Sequence, residues 1–257
     1  MFRFLIQRPA EKCTIKIPLP EGDFGIIGRN KKEDESLSTV DFRQKAAHIP
    51  VAREGIPFIG MGIFVTLVSA ILGQGALAWL FVVVTLFVAH FFRDPQRMTA
   101  AGHSDVVSPA DGKVIGVERV GTTRFVQRPC MKISIFMSVF DVHVNRIPHT
   151  GAVQGIYYQK GKFLAANRSK ASTENEQNWL WMQTDSGHDI VMTQVAGFIA
   201  RRIVCWPSLG DRVIRGERFG MIRFGSRMDV YLPENSEILI SKGDHVYGGE
   251  TLLCRLK

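Results

Sequence analysis

The sequence predicts a mainly β domain preceded by an N-terminal hydrophobic helical hairpin, and three observations predict it. Residues 56–92 contain no Asp, Glu, Lys or Arg. From residue 106 onward the chain breaks into short alternating runs punctuated by Gly and Pro, the pattern of strands and turns. The motif G-D-x-V-x-x-G-E occurs twice, from Gly210 and from Gly243, each copy setting a turn, one inward Val and a second Gly turn before an apolar strand.

Taken in order, residues 1–47 are mixed in charge, and "RNKKEDESLS" (29–38) reads as solvated loop or disorder, so this stretch is a polar, partly disordered extension. The apolar block would make a single helix of about 55 Å against a hydrocarbon core of roughly 30 Å, and "GQG" (73–75) divides it in two. A hairpin or shallow re-entrant pair over residues 48–98 follows, an anchor rather than a transport path. Basic residues flank both ends, Arg43, Lys45 and Arg53 before and Arg93 and Arg97 after, which places both flanks on the cytoplasmic side of the inner membrane. A buried core hairpin of a soluble protein is the bland alternative. Pro95 ends the second helix.

The β domain is expected over residues 99–257. "VVSPADGKVIGVERV" reads as a strand, an Asp-Gly turn and a strand. "CMKISIFMSVFDVHVNRIP" is a long strand with Ile133, Ile135, Met137 and Val139 on one face and a turn near Asp141 and His143. "GAVQGIYYQKGKF", "NWLWMQTDSGHDIVMTQVAG" and "ARRIVCWPSLGDRV" supply further strands, with a polar loop at 167–178. The paired G-D-x-V-x-x-G-E motifs are typical of barrel-sandwich folds that resemble lipoyl and biotinyl carrier domains.

A formal charge of +8 points to acidic partners: anionic lipid, phosphorylated substrate or nucleic acid. The scattered cysteines Cys13, Cys130, Cys205 and Cys254 form no ligand spacing, so neither a metal site nor a disulfide framework is indicated.

"MIRFGSRMDVYLP" (221–233) reads as one strand with Ile222, Phe224, Ser226, Met228, Val230 and Leu232 on the core face and Arg223, Gly225, Arg227, Asp229 and Tyr231 opposite. Gly225-Ser226 then has three readings. It is a bulge glycine beside a buried serine, the choice from geometry alone. It is a hydrolase nucleophile, though no G-x-S-x-G elbow is present. Or the Ser226 hydroxyl attacks the carbonyl of Gly225 and the chain cuts itself, which accounts for both residues. The attack needs a base. His143, on the parity of the preceding apolar strand, is either a satisfied core residue or a proton carrier, and Asp111 is either a turn former or the group that orients an imidazole.

"REGIPFIG", "SPADGKV", "FMSVFDVHVNRIPHTG", "GKFLAANRSKASTENEQN" and "QVAGFIARRIVCWPSLGDRVIRGERFGMIRFGSRMDVYLP", in this order over residues 49–257, resemble the short, membrane-anchored bacterial form of the phosphatidylserine decarboxylase family. The resemblance implies a proenzyme that cuts itself between Gly225 and Ser226 into a β chain (1–225) and an α chain (226–257), leaving Ser226 as a pyruvoyl group. That ketone would condense with the substrate's serine amine and draw off electrons as CO2 leaves, turning phosphatidylserine into phosphatidylethanolamine. His143 and Asp111 would carry the proton transfers. Arg223 and Arg227 would bind substrate, and Arg93 and Arg97 are further candidates for the lipid surface; each is otherwise a solvated charge. Many longer members carry a second histidine, in H-x-x-H-x-P, where this chain has Arg146; His143 is expected to perform both roles, with His149 or Arg146 as alternatives. The expected partners are the phospholipid, the membrane, the chain's own two pieces and a possible second copy, with no nucleic acid. The rival readings are a decarboxylase of another phosphoserine lipid, of archaetidylserine type, and a non-catalytic lipoyl-like adaptor.

Overall fold

The computed structural model describes residues 50–162, 174–197, 202–223 and 226–257. The polar extension expected at 1–47, the greater part of the loop expected at 167–178, and Gly225 lie outside these described residues.

A 3-10 turn, Arg53–Gly55, leads into α1 (Ile56–Ile71), and α2 (Gly75–Phe91) runs back beside it. The break falls where the sequence predicts, with Gly73 at φ 72° making the reversal that an L side chain resists. Apolar side chains cover the outside of the pair, Phe64, Trp79, Val83 and Leu86 among them. The hydroxyls of Thr66, Ser69 and Thr85 turn back onto carbonyls four residues earlier, so the helices satisfy their own polar groups, as a hydrocarbon setting requires. The segment Arg53–Ile71 is long and apolar enough to cross a membrane; α2 is shorter.

The base of the hairpin is clamped. Ala52 N donates to Phe92 O at 2.7 Å and Asp94 N to Pro50 O at 2.9 Å. Phe91 and Phe92 are fully buried and pack with Ala52, Val142, Val144 and Met221, which joins the hairpin to the β domain through an apolar cluster of its own.

The β domain comprises β1 (Asp105–Val107), β2 (Gly112–Val120), β3 (Cys130–Met137), β4 (Val144–Arg146), β5 (Gly151–Gln159), β6 (Gln177–Thr184), β7 (Asp189–Ala196), β8 (Ile203–Cys205), β9 (Arg212–Val213), β10 (Arg218–Ile222), β11 (Ser226–Pro233), β12 (Glu237–Ile238), β13 (His245–Val246) and β14 (Leu252–Arg255). The large sheet runs β13-β2-β3-β11-β7-β6-β5-β9, and two small sheets run β1-β14-β12 and β4-β10-β8.

That order is symmetric about the β11–β7 pair. The contiguous block β4 to β10 forms one half and is inserted between β3 and β11 of the other. The two copies of the repeated motif occupy equivalent places. Gly210 N donates to Val153 O at 2.9 Å and Gly243 N to Val114 O at 2.8 Å, while Asp211 and Asp244 each accept a serine N–H at 2.8 Å. The halves meet where Val107 N reaches Pro148 O and Arg146 N reaches Pro109 O. Ser226 opens β11, the first strand after the chain returns from the inserted half.

Three local expectations change. The strands either side of Asp111-Gly112 do not form a hairpin: β1 pairs with β14 and β2 with β3 and β13. Gly112 instead turns a corner so tight that a Cβ would stand 2.2 Å from Phe136 O. Within residues 221–233, Met221 and Ile222 end β10 and Ser226–Pro233 form β11, in different sheets, rather than the single strand expected. Finally, β11 lies between β3 and β7 and is buried on both faces; Arg227 and Asp229 are covered as an ion pair at 2.8 Å.

Candidate active site

Ser226 pairs with Met137 of β3 on one side and Ala196 of β7 on the other, which turns its side chain to the core face. It is fully buried, and among the described residues its Oγ finds only the Met137 thioether, at 3.4 Å. Sulfur is a weak acceptor, so the hydroxyl is held without being strongly engaged.

His143 is placed by a turn rather than by strand parity. β3 ends at Met137; Asp141 Oδ2 then accepts Ser138 N at 2.7 Å, and the Asp141 carbonyl takes His143 Nδ1 at 2.9 Å. This assigns the proton to Nδ1 and leaves Nε2 as an acceptor. Nε2 is buried with no hydrogen-bond partner among the described residues, and the ring of Phe91 lies 4.2 Å from the imidazole, centre to centre. Burial pushes the imidazole down to about 4, only partly offset by the Asp141 carbonyl and carboxylate. His143 is therefore neutral at physiological pH, its Nε2 lone pair facing an apolar wall to which Phe91, at the end of the hydrophobic hairpin, contributes.

Asp111 sits elsewhere in the hydrogen-bond pattern. Its Oδ1 accepts Gly248 N at 2.7 Å and its Oδ2 the Arg97 guanidinium at 2.7 Å. Burial raises its carboxyl, opposed by the Gly248 N–H and by Arg97. Among the described residues no hydrogen bond joins Asp111 to His143, or His143 to Ser226. Arg146 is likewise committed, to Gly216 O at 2.9 Å, Pro95 O at 2.7 Å and the Asp94 carboxylate at 3.3 Å. Burial and the neighbouring Arg218 lower it to about 10. Both ring nitrogens of His149 lie against carbonyl oxygens, of Thr150 and His103. Neither side chain is free to replace a second histidine in this arrangement.

The arginines divide. Arg97 bridges Asp111 and Glu250, Arg93 binds His90 and the Phe140 carbonyl, and Arg227 is paired with Asp229. Arg223 differs. Its guanidinium lies 5.5 Å above the Phe58 ring in the first turn of α1, with no carboxylate in salt-bridge range among the described residues, and burial together with neighbouring Arg202 lowers its pKa. Arg202, which the sequence reading does not single out, is thus a second cation beside it. Also unforeseen are the fully buried Asn145 and nearly buried Gln194 close to Ser226. The only signal for them is an amide in an otherwise apolar strand run, in "VHVNRIP" and "IVMTQVAG".

Comparison with known proteins gives the same direction. The family model for phosphatidylserine decarboxylase matches residues 84–254. A phosphatidylserine decarboxylase proenzyme of Geotalea uraniireducens is 52% identical over 204 residues, covering 79% of this chain and 95% of that protein. One from Desulfotalea psychrophila is 48% identical over 208 residues (81% and 97%), and one from Symbiobacterium thermophilum 48% over 206 residues (80% and 95%). With a matched model over most of its length and relatives this similar across nearly their whole chains, the protein belongs to the phosphatidylserine decarboxylase family.

Proposed function

We propose that this chain decarboxylates phosphatidylserine to phosphatidylethanolamine, using a pyruvoyl group made from Ser226 when the chain cuts itself after Gly225. The observation that carries the reading is Ser226 itself: a fully buried hydroxyl at the start of a central strand, resting on a thioether, in a domain whose His143 keeps an Nε2 with no partner among the described residues. The surroundings fit a small ketone. Ala196 and Met137 leave an uncharged, dry setting, and no cation or carboxylate among the described residues hydrogen-bonds Ser226. A pyruvoyl group there supplies the electron sink that decarboxylation needs.

The chain's own residues do the rest. His143 Nε2 takes up a proton and returns it, and its depressed pKa makes the charged ring a strong acid, suited to protonating carbon after CO2 departs. Asp111 acts at a distance, by fixing the corner at Gly112 through Gly248 and Arg97. Arg223, over Phe58 at the foot of α1, and neighbouring Arg202 bind the lipid phosphate, since among the described residues neither has a carboxylate in salt-bridge range and Glu54 only partly offsets Arg223 from farther away. Arg227, held by Asp229, steadies β11. The apolar hairpin lies in the inner membrane, with the β domain on the cytoplasmic side where the basic flanks favour it.

The test is an intact-mass spectrum of denatured protein beside Ser226→Ala, followed by CO2 release from phosphatidylserine in mixed micelles. Two chains split after Gly225, an α chain beginning with pyruvoyl, and an uncut, inactive variant are expected. An active preparation consisting of one uncut chain overturns the mechanism, and a split protein that works only on another phosphoserine lipid overturns the substrate.

A further inference from the structure

The inner face of the large sheet is apolar through Ile133, Val230, Met192 and Leu180 and turns polar next to Ser226. There Asn178 of β6 and Gln194 of β7 stand as a cross-strand pair, and Asn145 of β4 covers them. Asn178 Nδ2 donates to Gln194 Oε1 at 3.0 Å, and Gln194 Nε2 donates to Asn145 Oδ1 at 2.9 Å and to the Val204 carbonyl at 3.2 Å. The Val204 carbonyl can only accept, so the atom of Gln194 facing it is the amide nitrogen, and every orientation in the chain follows. Asn145 must turn its oxygen to Gln194 and its NH2 group the other way.

That NH2 points at Met137 Sδ, 3.8 Å away, the same sulfur that takes the Ser226 hydroxyl. The arrangement is built for. Gly220 faces Asn145 across the β4–β10 pair, and a Cβ there would stand 2.9 Å from Gln194 Nε2 and 2.2 Å from the Val204 carbonyl. A fully buried amide with two hydrogens, aimed at a thioether, is a donor with no adequate acceptor among the described residues.

We propose that Asn145 is a catalytic donor for the self-cleavage: its Nδ2 stabilises the negative charge that forms beside Ser226 Oγ when that oxygen attacks the peptide carbonyl preceding it. The inference rests on the self-cleavage reading but not on phosphatidylserine as substrate. In the step, the Oγ–C bond forms and the C–N bond to Ser226 breaks. The hydroxyl proton ends on the released amine, so the amide becomes an ester with nothing gained or lost. A preorganised donor in a dry site is what such an oxyanion needs, and removing one such donor typically costs about 10²–10³ in rate.

The experiment follows chain splitting by denaturing mass spectrometry with no lipid present, in wild type, Asn145→Ala and the near-isosteric Asn145→Asp, each with and without hydroxylamine, which cleaves esters but not amides. Expected is splitting slowed about 10²–10³-fold in a folded variant, with hydroxylamine giving no acceleration because the ester itself forms slowly. Asn145→Asp carries the test should the alanine variant misfold. Splitting at the wild-type rate in either folded variant overturns the proposal. So does slow splitting that hydroxylamine restores, since the ester then forms normally and Asn145 acts later. A wild-type chain that stays whole overturns the self-cleavage reading and this proposal together, whereas normal splitting without phosphatidylserine turnover overturns only the substrate.

Discussion

His143 shows how one side chain is tuned by elements far apart in sequence. The Ser138–Asp141 turn fixes its Nδ1, and Phe91 from the end of the hydrophobic hairpin strips water from the ring. A pKa of about 4 against an unfolded value near 6.5 means that the unfolded chain takes up a proton that the folded one refuses. The stability from keeping His143 neutral is therefore full above pH 6.5, falls as pH drops through the window, and is gone below about 4, a span worth roughly 3 kcal/mol. In the Ser226→Ala background, His143→Gln should flatten the rise of stability between pH 4 and 6.5 in denaturant titrations; an unchanged slope would assign that rise to other groups. In the cleavable protein the same change should lower kcat by about 10²–10⁴. For Arg223→Ala and Arg202→Ala the expected signature is the opposite split, KM for phosphatidylserine raised about 10-fold or more with kcat little changed, as for loss of a charge-assisted contact. Equal KM values in both variants would refute the phosphate site.

At the scale of elements, the symmetric halves make a paired prediction. Gly112 of β2 faces Val246, and Gly151 of β5 faces Val213, at matching places. A Cβ on either would come within 2.2 Å of a carbonyl oxygen, of Phe136 and Gln183 respectively. Backbone cannot step aside as a flexible side chain can. Gly112→Ala and Gly151→Ala should each destabilise by about 1–3 kcal/mol or more, read from denaturant midpoints. A large cost at one and none at the other would show that the two corners are not equivalent. Sequence pattern reached this level well: the charge-free block, the break at Gly73 and the repeated G-D-x-V-x-x-G-E all reflect local chemistry. It failed where partners come from afar. Nothing in "PADG" says that Asp111 meets Arg97 and Gly248, and an alternating run such as "SRMDVYLP" looks half-exposed unless one knows that β3 and β7 flank it. Ser226 and His143 were legible as unusual residues in apolar runs; Asn145 and Gln194 carried the same signal but no motif to draw attention to it.

For the whole molecule, the proposed position of the cut decides what would follow it. Cleavage before Ser226 would free a chain of residues 226–257 that holds β11, β12, β13 and β14. β11 pairs with β3 along its full length and with β7 over most of it, and Met228, Val230 and Leu232 are buried between them, each contributing on the order of 1.5–3 kcal/mol. β13 and β14 add contacts in two sheets, and Leu253 and Cys254 lie in the main core. The two chains should therefore stay together as one folded body and co-elute under native conditions. Their unfolding, however, becomes a dissociation. The midpoint of thermal unfolding should rise with protein concentration for the split protein, because two chains must find each other to refold, while Ser226→Ala, still one chain, should show a much weaker dependence. Release of the short chain in native buffer, or a concentration-independent midpoint for split protein, would mean that β11 is not the central strand that binds the halves. The proposed cut would thus leave a new chain end at the start of β11, against the Met137 sulfur that Asn145 also reaches, while the sheet around it holds.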